Sequence, residues 1–222
     1  MCGRFTLRAP AAAVAKEFGL FDVPELSPHF NICPSQSVAI VRQKPEAKGR
    51  ELAFVHWGLI PSWAEDPKIG NRMANARSET AATKPSFRSA FKSRRCLLIA
   101  DGFYEWQKTG GGKQPYLIGM KDGRPFGMAG LWERWDKGEE PVESCAILTT
   151  GANDLMEPIH ERMPVILSPR QFDLWLDPKS NDTAKLTELM QPYKAKDILA
   201  YPVSTRVNNP KNNTAACIEP MK

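Results

Sequence analysis

The sequence predicts an α+β fold. The expected architecture is a single domain over residues 1–222, built on antiparallel β-sheets in a barrel-like arrangement with peripheral helices. Three features predict it. Strand-like segments outnumber helix-like ones. Most connections between them are too short to carry a crossover helix, which favours antiparallel neighbours. No internal repeat is evident, and the tract Gly110-Gly111-Gly112 has strand patterns on both sides, so it marks a loop and not a domain linker.

In chain order, Ala11 to Leu20 is alanine-rich and reads as a helix, with Pro10 as an early helical residue and an end near Gly19. Pro24, Pro28 and Pro34 then punctuate an irregular segment. Ser37 to Arg42 and Glu51 to Ile60 read as strands rich in branched and aromatic residues. Pro61 to Pro85 is long, polar and rich in small residues, and a loop of that length in a compact domain usually has a task. Cys96 to Ala100 is a buried strand, and Tyr104-Glu105-Trp106 continues beyond the break at Asp101-Gly102. The triple glycine is an exposed hairpin tip. Pro115 to Met120, Phe126 to Leu131 and Ser144 to Thr150 are further strands, and Val165 to Leu167 a short one. Asp154 to Ile159 reads as a short helix with His160 at or past its end. Pro169 to Leu176 and Thr183 to Met190 read as helices, and Tyr201 to Ser204 as a late strand.

Composition narrows the function without choosing it. Hydrophobic residues make up 42% and charged residues 25%, ordinary values for a globular protein. A net charge of +5 permits an anionic partner but is too mild to demand one. The 5 cysteines are odd in number, form no CxxC and have no secretory segment ahead of Cys2, which predicts a reducing, cytoplasmic setting without a disulfide framework. Cys96 and Cys145 lie in apolar runs and read as packing residues. No apolar run nears the ~20 residues that span a bilayer, so no membrane partner is expected. The 3 histidines, His29, His56 and His160, show no HExxH or paired Cys/His spacing, so no metal site is expected. No cofactor is expected either: GxGxxG after a strand, GxxxxGK[ST] and GxSxG are all missing.

The chemistry concentrates at the N-terminus. Cys2 is small enough for an aminopeptidase to remove Met1, leaving a free α-amine and a thiol on adjacent carbons. Their reference pKa values are about 7.7–8.0 and about 8.5, so both have a nucleophilic fraction near neutrality. With an aldehyde, such a 1,2-aminothiol forms a Schiff base that the thiol closes to a thiazolidine. The plain alternative is an ordinary residue at a frayed terminus. Glu105 lies between two aromatics after a buried-looking strand, where a carboxyl gains a raised pKa suited to acid/base work; alternation pointing it outward is the competing reading. His160 lies in Ile159-His160-Glu161-Arg162-Met163-Pro164, a polar cluster between apolar segments. Asn75 and Arg77 lie in Asn75-Ala76-Arg77-Ser78-Glu79-Thr80, where a capped helix start is the alternative.

Several motifs occur together in a fixed order: Met1-Cys2-Gly3-Arg4-Phe5, Phe30-Asn31-Ile32-Cys33-Pro34-Ser35-Gln36, Trp57-Gly58-Leu59-Ile60-Pro61-Ser62-Trp63, Asn75 to Thr80, Arg95-Cys96 to Trp106, Ala129-Gly130-Leu131-Trp132-Glu133 and Ile159 to Pro164. Each is weak alone; the ordered set resembles the SRAP family, SOS-response-associated "peptidase" proteins that shield abasic sites in DNA. The resemblance runs from residue 2 to about 209, and only Cys33 departs from it, where a small apolar residue is expected. It implies a single α+β domain with a basic groove for single-stranded DNA containing abasic sites. It also implies that Cys2 crosslinks the ring-opened deoxyribose aldehyde, that Asn75 holds the terminal amine or the sugar, that Glu105 is the acid/base, and that His160 assists Schiff-base formation and reversal. Arg4, Arg77 and Arg162 flank these residues and are expected on phosphates. Trp63 and Trp106 are expected to stack on unpaired bases, and Trp57 and Trp132 to belong to the core. A monomer is expected, associated with the nucleoid when bound to DNA.

Two other readings compete. An N-terminal-nucleophile hydrolase, of the kind seen in glutamine amidotransferases, also begins Met-Cys-Gly and uses the thiol against an amide; a glutaminase assay separates it. A non-covalent single-strand-binding module explains the charge and tryptophans but not Cys2, Glu105 and His160 together. The family's "peptidase" label suggests autoproteolysis exposing Cys2, yet with only Met1 ahead of it an aminopeptidase suffices.

Overall fold

The computed structural model describes residues 2–44 and 49–221. Its strands are β1 (Phe5–Leu7), β2 (His29–Ile32), β3 (Ser37–Arg42), β4 (Glu51–Trp57), β5 (Asn75–Arg77), β6 (Arg95–Ala100), β7 (Gly102–Thr109), β8 (Gly112–Met120), β9 (Phe126–Trp135), β10 (Val142–Gly151), β11 (Arg162–Pro164), β12 (Ile166–Leu167) and β13 (Ile198–Pro202). The α-helices are short and lie outside the sheets: α1 (Ala11–Phe18), α2 (Ser78–Ala81), α3 (Arg88–Ser93), α4 (Phe172–Leu176) and α5 (Thr183–Glu188). The α+β class is as the sequence predicts.

The larger sheet closes into a barrel. β4 pairs with β3, β3 with β6, β6 with β9 and β9 with β10, all antiparallel, and β10 returns to β4 in parallel. Closure leaves no open edge along the ring. β3 and β6 supply the wall because their residues are apolar on both faces: β6 is buried along its whole length. Gly130 lets three strands meet closely, since a Cβ there would lie 2.4 Å from Leu98 Cδ1 and 2.9 Å from the Ala146 carbonyl oxygen. Beyond the ring, β10 continues and takes β5 in parallel and β11 antiparallel.

The smaller sheet runs β13-β8-β7-β1-β2. It sets the short N-terminal strand between β2 and the long β7–β8 hairpin, whose turn falls on the glycines as expected. Phe5 of β1 packs edge-on against Trp57 of β4, with ring centroids 5.0 Å apart, and so ties the two sheets together.

Several local expectations are corrected. The segment 61–85 is not a plain loop: it holds a 3₁₀ turn at Pro67–Arg72, then β5 and α2. β4 stops at Trp57 because Gly58 takes φ +146° and faces the Gly70 carbonyl, which would sit 2.7 Å from any Cβ. Asp154 to Ile159 forms turns, not a helix. Asn153 Oδ1 accepts the Met156 N–H at 3.0 Å, and Pro158 has no N–H to give. The proline-punctuated stretch after α1 contains β2, whose four residues carry too little pattern to stand out. Among the described residues, no helix is long and apolar enough to cross a membrane.

Candidate active site

The register of β1 on β7 places the N-terminus. Phe5 lies opposite Phe103 and Thr6 opposite Gly102, and the Tyr104 N–H donates to the Arg4 carbonyl at 2.9 Å. Continued in the same direction, this pairing draws Cys2 along the part of β7 that holds Glu105 and Trp106. Cys2 is fully buried, so the frayed-terminus reading does not hold. Burial pushes its thiol well above the ordinary range, and the Glu105 carboxylate adds to the rise. The same segment is tied toward Asn75: Trp57, which packs on Phe5, donates its Nε1–H to the Ala74 carbonyl at 2.9 Å. Asn75 Oδ1 is buried and has no hydrogen-bond partner among the described residues.

Glu105 is only 2% exposed, which settles the question that strand alternation left open. Both faces of β7 are covered here, because the connection between β10 and β11 lies over it. Gln107 Nε2 donates to the Pro158 carbonyl at 3.0 Å, and His160 Nε2 stands 4.0 Å from Glu105 Oε2. Burial raises the Glu105 pKa to about 7. Burial also lowers the pKa of His160. His160 Nδ1 accepts the Arg162 N–H at 3.0 Å, so the neutral ring carries its proton on Nε2, the nitrogen facing Glu105. Near neutral pH, the pair is a half-protonated carboxyl beside an imidazole that is mostly neutral, an arrangement fit to take and return a proton.

Around this pair, Arg4, Trp106, Lys108, Lys113 and Asn208 complete an open cleft of about 470 Å³. Arg4 is held from behind: its Nη1 donates to Asn31 Oδ1 at 2.8 Å and to the Val207 carbonyl at 2.6 Å, and its guanidinium lies 5.8 Å from the Trp106 ring centroid. Trp106 is fixed in turn by its Nε1–H, which donates to Asn208 Oδ1 at 2.7 Å. Arg77 and Arg162 converge on Thr149 of β10 from opposite sides. Arg77 is in register with Thr149, and Arg162 donates to the Thr149 carbonyl while its guanidinium pairs with both oxygens of Glu79. Arg77 is exposed. The capped-helix alternative fails in detail, because α2 starts at Ser78 with Arg77 at its N-cap and no side-chain cap.

Trp63 is not among the residues lining this cleft. It is 53% exposed and lines a separate recess with Glu65, Lys68 and Arg72. Trp57 and Trp132 are buried, as expected of core residues. Lys108, Lys113 and Asn208 join the cleft without a motif that marks them. The lysines carried a signal, since they sit symmetrically about the glycine tip and a tight hairpin there must set them face to face. Asn208 gives none, because a 3₁₀ turn at Thr205–Asn208, distant in sequence, brings it in.

The smaller sheet thus sets the buried Cys2 thiol beside a carboxyl whose pKa lies near neutrality. The sequence pattern of the SRAP family, described as SOS response associated peptidase, matches residues 1–210, and the chain belongs to that family. It is 44% identical to the abasic site processing protein YoqW of Bacillus subtilis (strain 168), over 99% of each chain. It is 35% identical to the abasic site processing protein HMCES of Gallus gallus, over 88% of this chain and 67% of that one. With the abasic site processing protein YedK of Escherichia coli (strain K12), it shares 32% identity over 100% of both. A crystal structure of a Bacteroides thetaiotaomicron protein superposes with a TM-score of 0.88 at 29% identity, over 100% of both chains.

Proposed function

We propose that this protein processes abasic sites in single-stranded DNA by capping the lesion as a covalent thiazolidine on Cys2. The relatives' names support abasic-site handling. The observation that carries the chemistry is the burial of Cys2 against Glu105, with His160 Nε2 4.0 Å from that carboxyl.

In this reading, Met1 is removed and the Cys2 amine becomes the first nucleophile. Glu105 in its protonated form donates to the sugar ring oxygen as the lesion opens to its aldehyde. The amine then adds to the aldehyde carbon, and loss of one water gives the Schiff base, with His160 passing the proton. The thiol next adds across the C=N bond: a C–S bond forms, and the thiol proton ends on the ring nitrogen. This last step also protects the strand. An iminium acidifies the neighbouring C–H and invites β-elimination, and sulfur addition removes that activation. Asn75, whose buried Oδ1 has no hydrogen-bond partner among the described residues, is assigned to the terminal amine or the sugar. Arg4, Arg77 and Arg162 are assigned to phosphates, and Trp106 to base stacking.

Intact mass spectrometry of active protein should show Met1 absent. Full activity with Met1 retained would rule out the aminothiol route. Neutralising Arg77 should weaken association with single strands of any sequence and lower the slope of log affinity against log salt by about 0.7. A loss confined to particular base sequences would instead indicate base readout and contradict a phosphate role.

A further inference from the structure

We propose that the tip of the β7–β8 hairpin is a second phosphate-binding element, in which Lys108 and Lys113 grip the DNA backbone from the sheet opposite the one that carries Arg77 and Arg162. The proposal rests on reading the cleft as a DNA site. Its own basis is the pairing of the hairpin. Lys108 lies directly opposite Lys113, and both are exposed. Like charges facing each other across an antiparallel pair destabilise it, so folding alone gives no reason for the pair. Among the described residues, neither lysine has a carboxylate partner. Yet both line the cleft that holds Glu105, Trp106 and His160.

Two further observations point outward to an anion. Lys108 shares a strand face with Trp106, two residues earlier, so a base stacked on that ring would bring its own phosphate toward the lysines. At the tip itself, a Cβ added to Gly110, Gly111 or Gly112 would meet nothing within 4 Å. A strand can pass the tip without displacing side chains. The hairpin therefore offers two unneutralised charges at the rim of the cleft, at a place open to a polyanion.

The test measures binding of an undamaged oligothymidylate by fluorescence anisotropy across a range of salt, with crosslinking to an abasic strand and to glycolaldehyde measured alongside. Lys108→Gln/Lys113→Gln should lower the salt slope by about 1.4 and weaken low-salt binding by about tenfold or more. Lys179→Gln/Lys196→Gln, a charge-matched change on exposed lysines away from the cleft, should do neither. Lys108→Glu creates an opposite-charge pair with Lys113, so it should hold or raise the thermal midpoint while still losing strand affinity. A merely structural lysine would not separate stability from binding in that way. Adduct formation with glycolaldehyde, which carries no phosphate, should fall far less in the lysine variants than adduct formation with the abasic strand, and should be unchanged in Lys179→Gln/Lys196→Gln. Strand binding that is unaffected, or that falls no further than in the charge-matched control, overturns the proposal. If no variant or wild type forms any adduct while the lysine effects persist, the covalent reading fails and the hairpin element stands.

Discussion

Glu105→Gln is expected to slow crosslinking to abasic single strands by about 100-fold or more, the usual scale for losing a positioned acid/base. Binding to undamaged strands should change little, because the amide keeps the shape of the carboxyl and removes only its titration. The wild-type rate should show an inflection near pH 7, where burial has placed this group, and the variant should lack it. The same substitution should raise stability. Burial lifts the carboxyl from its ordinary value of 4.5 to about 7, so the folded protein holds a proton that the unfolded chain has released across that interval. Wild-type stability from this group is therefore lost as pH rises from about 4.5 to about 7. Above pH 7, Glu105→Gln should be more stable by on the order of 3 kcal/mol, a rise of several degrees in Tm, and below pH 4.5 the two should converge. A variant that is both slower and less stable at pH 8 would mean that Glu105 is ionised and held by structural partners, not poised for proton transfer.

Cys2→Ser separates the two nucleophiles of one residue. The variant keeps the α-amine, and its hydroxyl closes the ring far less well than a thiol. It should still form a Schiff base with abasic DNA, trappable by borohydride. The adduct that survives heating in detergent without reductant should fall to a background level. Strand cleavage by β-elimination should rise, since the iminium is no longer consumed. A glutaminase assay on the wild type should be negative, whereas an N-terminal-nucleophile hydrolase would turn over glutamine and leave no DNA adduct.

The candidate site is legible in single residues because acid/base and nucleophile roles need particular side chains. Cys2, Asn75, Glu105 and His160 stand out from residue type and motif alone. What strand periodicity could not decide was which way Glu105 points. Its burial depends on Pro158 and His160, which arrive from a connection more than fifty residues later. The arrangement of strands was partly hidden for a related reason. β1 and β2 are too short to show alternation, and their pairing is imposed by neighbours distant in sequence. Closure of the barrel needs the parallel pairing of β10 with β4, which no local turn signal announces. Arg4 was expected on phosphates; its guanidinium is already tied to Asn31 and Val207 and packed on Trp106, so it reaches the cleft as part of a braced group.

Peptide mapping of the conjugate formed with an abasic single strand, without reductant, tests the thiazolidine most directly. The expected conjugate survives heating, has the summed mass of the strand and the Met1-free chain less one water, and carries its modification on the peptide beginning at Cys2. A conjugate of equal yield mapped to a lysine, or one formed equally well and equally heat-stable by Cys2→Ser, would contradict it.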